Sequence, residues 1–462
     1  MSLWKPVSRR TWFIANVTAL ITIGLSVGTA QSNPEFNLEQ ALSALPSSLE
    51  WQQADLTLQT AQKNLESARA AAGLKLNAGA DTSLGFPSSG TSTQTLNVSA
   101  TASLTILPWS SVYDQVRSAE RALTRAELDR SDTRNTLALN VVNQYFTTRI
   151  SITDLELAKV NVKLSEAQLK VATAQQANGQ ITKENFLTAQ KNLENSKLNL
   201  EQAVNTLEVN RVTVQNTLNL EITNIIFSSI PSEHALMAGS LDELTKKALV
   251  KRSDVQRALS KIADAQDALA SAQRDRLLPN ASVNVGVTQS GAGTLSSGLN
   301  LQTGSLSVTG TVPVVSNGGT TTTTTTGSNL TISASISIPI VSPSGDTKIS
   351  SSQTSLEIAK KSLEQTKQSA VLDVRQKYND AKLTISKLNL AKTSLNAANS
   401  SYLTAKARFD AGLSTQNELE QSRLNVSQAE RDLKQAIVNQ VLAAYRLENA
   451  VGVLNLIPGG NS

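Results

Sequence analysis

Between residues 111 and 177 the chain runs for 67 positions without a Gly or a Pro, and it runs for another 66 from 346 to 411. Shorter windows free of both span 47–72, 180–230, 240–278 and 413–451. All are rich in Ala, Leu, Gln, Lys and Glu, which enter helices at little cost. A helix over 111–177 would be about 100 Å long at 1.5 Å per residue, too long for a compact globular domain. The molecule must be elongated, with helix far above the usual third.

The period inside these windows is seven. Phe186, Leu193, Leu200, Leu207 and Val214 are each followed three positions later by Ala189, Ser196, Ala203, Asn210 and Thr217. Leu419, Val426, Leu433, Gln440 and Leu447 repeat the pattern with Ser422, Ala429, Ala436, Ala443 and Ala450. A large residue alternating with a small one is a coiled-coil seam, in which the small position lets the facing helix come close. Heptads establish helix packing and say nothing of function.

Two segments have the opposite character. Residues 82–113 and 279–345 carry no charged side chain, although 17% of the chain is charged, and the second holds ten of the 22 glycines. Apolar residues alternate with polar ones at Leu96, Val98, Ala100, Ala102, Leu104 and Ile106, and again at Leu330, Ile332, Ala334, Ile336 and Ile338. The same period of two marks Ala78 to Phe86 and Ala281 to Val287, which predicts four strands in two hairpins, about 77–107 and 280–340. A further stretch, Leu306, Val308, Val312 and Val314, either extends a strand or decorates the second hairpin's tip. It precedes seven threonines, Thr320 to Thr326, which read as a low-complexity loop.

The chain is also an internal repeat. A shift of 233 places Val141 on Val374, Tyr145 on Tyr378, Gly179 on Gly412, Leu200 on Leu433 and Asn216 on Asn449. Upstream, a shift of 203 places Leu38 on Leu241 and Asn77 on Asn280, so the second hairpin segment is 30 residues longer. Capping boxes are expected at Asn37 with Gln40 and at Ser240 with Glu243. Each half therefore reads as helix, β-hairpin, very long helix, tight turn and return helix. The divisions are a first repeat over 31–220 (long helix 111–177, return 183–217), a linker over 221–239, a second repeat over 240–456 (long helix 346–411, return 414–451) and a tail over 457–462.

Ahead of these, Lys5, Arg9 and Arg10 precede an apolar run from Trp12 to Val27 and a small-residue site at Gly28-Thr29-Ala30. Residues 1–30 read as a removable export signal, because Asn16, Thr18 and Thr22 interrupt the run too often for a membrane anchor. Ser8 to Trp12 faintly resembles a twin-arginine signal, but paired arginines also occur in ordinary export signals.

Composition narrows the chemistry. With no Cys and one His, thiol catalysis, disulfide scaffolds and Cys/His metal clusters are excluded, and a formal charge of +5 does not point to nucleic acid. Gly291-Ala292-Gly293 sits between strands with no helix to follow, and His234 lies in the linker without catalytic partners. Neither an enzyme nor a cofactor is expected.

Strands that span a membrane must close into a barrel, since lipid leaves no partner for free backbone groups. Four strands are too few. Two copies would give eight and three would give twelve, enough to leave a lumen, and closed symmetry is the usual solution.

The layout, the duplication and the run Arg408-Phe409-Asp410-Ala411-Gly412-Leu413-Ser414-Thr415-Gln416-Asn417-Glu418-Leu419, with Tyr445 and Asn449 beyond it, resemble TolC-like outer-membrane efflux proteins. The resemblance covers about 36–456. It implies an α/β membrane protein: a homotrimer whose twelve-stranded β-barrel in outer-membrane lipid continues into an α-barrel of long antiparallel coiled-coil helices crossing the periplasm. Such a duct exports small molecules, or polypeptides in type I secretion, delivered by an inner-membrane transporter and a periplasmic adaptor. By the same resemblance the two turns, Gln176 to Thr182 and Phe409 to Thr415, are the adaptor-docking tip, with Gly179, Gln180, Asp410, Gly412, Leu413 and Ser414 as candidates. Glu418 matches a position where relatives close the tunnel with acids, whereas Gln421 and Asn185 replace acids at the other candidate gate positions. A ring of three carboxylates could select cations; the plainer reading of Glu418 is a solvated helix residue. The β segments depart from a usual spanning barrel in having few aromatics, Phe86 and Trp109 in the first and none in the second.

A second reading remains, a trimeric coiled-coil structural or adhesive surface protein with a β head. The repeat separates the two, since a stalk has no need of paired hairpins and matched turns.

Overall fold

The computed structural model describes residues 35–85, 93–220, 226–289, 293–317, 328–337 and 342–456. The export segment, Phe86, the threonine run and the tail over 457–462 lie outside the described residues.

The first half holds β1 (Glu35–Phe36), α1 (Leu38–Ser43), α2 (Leu49–Ala72), β2 (Lys75–Gly85), β3 (Thr93–Thr105), α3 (Ser111–Ala177) and α4 (Lys183–Leu218). The second holds β4 (Ile226–Phe227), α5 (Leu241–Lys251), α6 (Ser253–Leu277), β5 (Asn280–Gln289), β6 (Gly293–Asn300), β7 (Ser305–Asn317), β8 (Ser328–Ser337), α7 (Pro343–Asp410) and α8 (Gln416–Val451). The long helices start where the sequence supplies caps. Ser110 accepts from the Val112 amide at 3.2 Å, and Ser342 accepts from Gly345 with Pro343 in the first turn. Both capping boxes, at Asn37 with Gln40 and at Ser240 with Glu243, are formed.

Four helices are abreast at every level. Toward the sheet, α2 packs on α3 and α6 on α7; toward the turns, α4 packs on α3 and α8 on α7. In the seam of α3 and α4 the small position Ser196 meets Ser165, hydroxyl to hydroxyl, at 2.8 Å, both buried. Leu193, Leu207 and Val214 are buried on the same helix, whereas Leu419, Val426 and Leu433 of α8 are only half-buried in the single chain.

The core sits at mid-length. The parallel pair β1 and β4 aligns Phe36 with Phe227, and both rings pack on Tyr145, with centroids 6.2 and 5.1 Å away. Val141, Val142, Leu218 and Leu442 complete this cluster. A second cluster gathers Leu244, Val374, Ala381 and Leu447. Between the halves an ionic ladder joins α3 to α6: Arg121 to Asp264 and Asp267 at 2.5 and 2.7 Å, Arg125 to Asp264 at 2.5 Å, and Arg257 to Asp129 and Asp132, both at 2.7 Å.

The sheet corrects one expectation. Instead of four strands, the described residues give it six, in the order β2-β3-β7-β6-β5-β8, every neighbouring pair antiparallel. The segment expected as one hairpin over 280–340 carries two extra strands, β6 and β7, inserted between β3 and β5. The extra length of the second half thus became part of the sheet rather than loop, because Leu306, Val308 and Val312 continue the period of two that an added strand needs.

Candidate functional site

The sheet sorts its side chains by face. Pairing places Ala334, Val283, Leu299, Leu306 and Leu104 in one row across five strands, and Ile332, Val285, Ser297, Val308, Ala102 and Leu76 in the next. The alternate rows are Thr331, Gly286, Ser296, Thr309, Thr101 and Asn77, and Ser333, Asn284, Gly298, Ser307 and Ser103, which ends at Lys75. One face is therefore aliphatic and the other is built of hydroxyls and amides. In the single chain the aliphatic face is open, with Leu76, Ile332 and Ile336 at 74%, 67% and 72% exposure. On the polar side Thr101 and Thr309 share a hydrogen bond at 3.1 Å, and Asn97 donates to the Asp81 carboxylate at 3.1 Å. Among the described residues no helix is long and apolar enough to cross a membrane, which bears on helices alone.

At the opposite end the two turns repeat one geometry. The Gln180 amide donates back to the Gln175 carbonyl and the Leu413 amide to that of Arg408, both at 2.8 Å. Gly179 and Gly412, with φ of 71° and 69°, let the chain reverse, and a Cβ at either would meet nothing within 4 Å. Backbone conformation rather than space thus selects glycine. Leu413 projects at 72% exposure, Gln180 and Asp410 lie on the same turns, and the half-buried Ser414 has a buried hydroxyl with no hydrogen-bond partner among the described residues.

The gate candidates are only partly brought together. Glu418 and Gln421 line one shallow groove of about 350 Å³ with Asn417, Ser422, Asn425 and Gln168 of α3. Asn185 is not among its lining residues; its amide donates to Thr182 at 3.3 Å, a cap in the first turn of α4. Glu418 closes a capping box: Thr415 accepts from the Glu418 amide, and the Glu418 carboxylate accepts from the Thr415 amide, both at 3.3 Å. Gln421 donates to Asn425 at 3.3 Å. Gln168 was not legible as a site residue, since only the fold brings that part of α3 beside α8. Above the groove Arg431 of α8 clamps Asp154 of α3 with contacts of 2.7 and 3.1 Å. The side-chain hydrogen bond to Asp154 is the main cause that raises the Arg431 pKa.

His234 accounts for itself structurally. Its ring lies 3.1 Å from Glu448 and 4.8 Å from the Tyr445 ring, and Gln440 bonds its backbone on both sides, tying the linker to α8. Burial first, then the Glu448 charge, raises the Tyr445 pKa. Among the described residues no group of three His, Cys, Asp or Glu could hold a metal ion.

The family model described as outer membrane efflux protein matches residues 42–220 and 244–453. Among solved structures, the chain is similar to the CusC transmembrane channel at 14% identity, covering 93% of this chain and 95% of that one with a TM-score of 0.68. The MtrE outer membrane channel of Neisseria gonorrhoeae shares 17% identity over 90% and 89% of the two chains, TM-score 0.67. The CmeC outer membrane channel of Campylobacter jejuni shares 15% over 90% and 85%, TM-score 0.66. No curated protein matches in sequence.

Proposed function

Because the chain belongs to the outer membrane efflux protein family, we propose that three copies form the exit duct of a tripartite efflux or type I secretion system. The β-sheets close in outer-membrane lipid, and the helices form a tunnel through the periplasm. The observation that carries this reading is the division of the sheet into one aliphatic and one hydroxyl-rich face, at the far end of helices about 100 Å long from two matched turns. A single sheet with two free edges, β2 and β8, is unstable in lipid, and copies of the chain supply the missing partners.

Transport through such a duct needs no bond made or broken. The sheet offers cargo a nearly uncharged polar lining, which wets the lumen without holding ions. The exported chemical class is therefore set by the transporter and by the narrow end. There Glu418 from three copies would form an acidic ring with Gln421 beside it and Asn185 on the neighbouring turn, favouring cations. The exposed Leu413, with Gly179, Gln180, Asp410, Gly412 and Ser414, forms the surface that a periplasmic adaptor would cover, an aliphatic contact framed by polar residues. An export signal over 1–30 delivers the chain to the periplasm.

The test is single-channel current in a planar bilayer with the purified protein beside Glu418→Gln. Discrete steps with cation preference in the parent and reduced preference in the variant are expected. Steps of equal selectivity in both would remove the gate and keep the duct. No steps from folded, inserted protein would leave the coiled-coil stalk with a β head as the better reading.

A further inference from the structure

The extra hairpin of the second half is built into the sheet in a way that fixes what it does. Gly293 to Asn300 and Ser305 to Asn317 pair with each other, and β7 pairs with β3 along nearly its whole length. Leu295 and Leu299 stand in register with Val287 and Val283 of β5, and Leu306 and Val308 with Leu104 and Ala102 of β3. The hairpin's apolar residues therefore share the aliphatic face, while Ser296, Thr309 and Thr311 share the polar one. A hairpin rising above the membrane, or folded into the lumen as a plug, would have no reason to keep that phase, because a slip of one residue inverts every side chain.

The hairpin is also latched at its base. The Gly304 carbonyl accepts from the amides of Ile106 and Leu107 at 2.8 and 3.3 Å, and the Trp109 indole donates to the Leu301 carbonyl at 3.1 Å. A Cβ on Gly304, whose φ is 67°, would come within 2.8 Å of the Leu107 side chain, so this close approach requires glycine. The basal turn thus sits on the connection between β3 and α3, at the level where sheet meets helices. Strand directions agree as well. With β6 and β7 inserted, the six strands alternate strictly, and the free edge β8 runs opposite to the free edge β2.

We propose, resting on the trimeric reading above, that β6 and β7 are membrane-spanning wall strands, so that each copy gives six and the trimer closes an eighteen-stranded barrel. The edge of β8 in one copy pairs antiparallel with β2 of the next. Since diameter grows roughly linearly with strand number, the outer duct is about half as wide again as a twelve-stranded one. Its added lining comes from Thr294, Ser296, Asn300, Ser305, Ser307, Thr309 and Thr311, all uncharged. The helical tunnel gains nothing from the insertion, so the constriction stays at its far end and the outer duct accepts bulky neutral solutes.

The chain has no Cys, so nitroxide labels can be placed singly without background. Labels at L299C and V308C in the inserted hairpin, and at S296C and T309C on its other face, would be compared with V285C and N284C of β5 in reconstituted liposomes. Accessibility to oxygen against a water-soluble nickel complex gives the readout. The expected result is that the Leu299 and Val308 sites follow Val285 in favouring oxygen, while the Ser296 and Thr309 sites follow Asn284 in favouring nickel. Nickel access at all four hairpin sites with β5 still alternating would overturn the wall assignment alone. Loss of alternation in β5 itself would overturn the membrane reading and the proposal with it. Electron cryomicroscopy of the parent protein supplies the count: eighteen strands around a threefold axis are expected, and twelve would refute the proposal.

Discussion

The Tyr145 hydroxyl donates to the Phe36 carbonyl at 2.7 Å and accepts from the Ser229 amide at 2.9 Å, tying the first strand and the linker between the repeats to the middle of the longest helix of the first half. Its counterpart in the repeat, Tyr378, is only half-buried and lies 4.6 Å from the Lys382 ammonium. Tyr145→Phe leaves the Ser229 amide without its partner, while the Phe36 carbonyl loses one of two donors and keeps the Ser228 amide at 3.2 Å. The expected loss is about 2 kcal/mol, read as a lower thermal midpoint of the detergent-solubilised protein. Tyr378→Phe should move the midpoint far less, and equal shifts would show that the repeat kept its two centres equivalent.

Glu418 has two separable roles, in the cap and in the proposed ring. Glu418→Gln keeps a side chain that can accept from the Thr415 amide, while Glu418→Ala loses it, at about 0.5–1 kcal/mol of helix-end stability. Hydrogen exchange over 415–420 should therefore quicken in the alanine variant alone. Cation preference should fall in both, and a fall confined to the alanine variant would assign the effect to the cap.

Gly179→Ala and Gly412→Ala meet no steric obstacle, so their cost should be that of a left-handed alanine, about 1 kcal/mol each. Asn at either position should recover part of it. Limited proteolysis at the turns is the measurement, with faster cleavage expected for alanine than for asparagine.

Arg252 holds Asp254 at 2.9 Å and Asp373 at 2.7 Å beside the second core cluster. Burial alone would raise the Asp254 pKa, but the Arg252 hydrogen bonds and charge outweigh it and hold it below the usual carboxylate range. A depressed carboxylate stabilises the fold above its unfolded pKa and loses that contribution as pH falls through its folded one. Thermal midpoints should thus fall as pH drops from about 4. In Asp254→Asn this part of the acid sensitivity should be weaker, and an unchanged slope would rule the pair out as its source.

Trp109 donates to Leu301 at the base of the inserted hairpin. Trp109→Phe keeps the ring and removes the donor, so exchange of the amides over 301–304 should rise while mid-length exchange around Tyr145 stays unchanged. An unaltered base would show that the Gly304 contacts hold it without the indole.

The long helices were legible because nothing in 111–177 could stop a helix, and the caps at Ser110 and Thr182 lie where the breakers end. The turns were legible through Gly179 and Gly412, whose positive φ the repeat had already marked. The strand count was not. Leu306, Val308 and Val312 alternate too briefly, and between too many glycines, to distinguish a strand of the sheet from a tip. Only the register against β3 settles their side. The groove joining Glu418 to Gln168 was hidden for a different reason, since heptads set how close two helices lie but not which residue of a 67-residue helix faces a given neighbour.

The rows of hydroxyls on the sheet, with Asp81 and Lys75 as the charges near them, make one end of the molecule nearly indifferent to what reaches it. An ion there meets little fixed charge to detain it, and a neutral solute meets donors and acceptors no stronger than water's own. In the proposed duct all discrimination is therefore left to the far end, some 100 Å away along α3. Altering the sheet's lining should change how fast material drains, whereas altering the turns should change what is admitted.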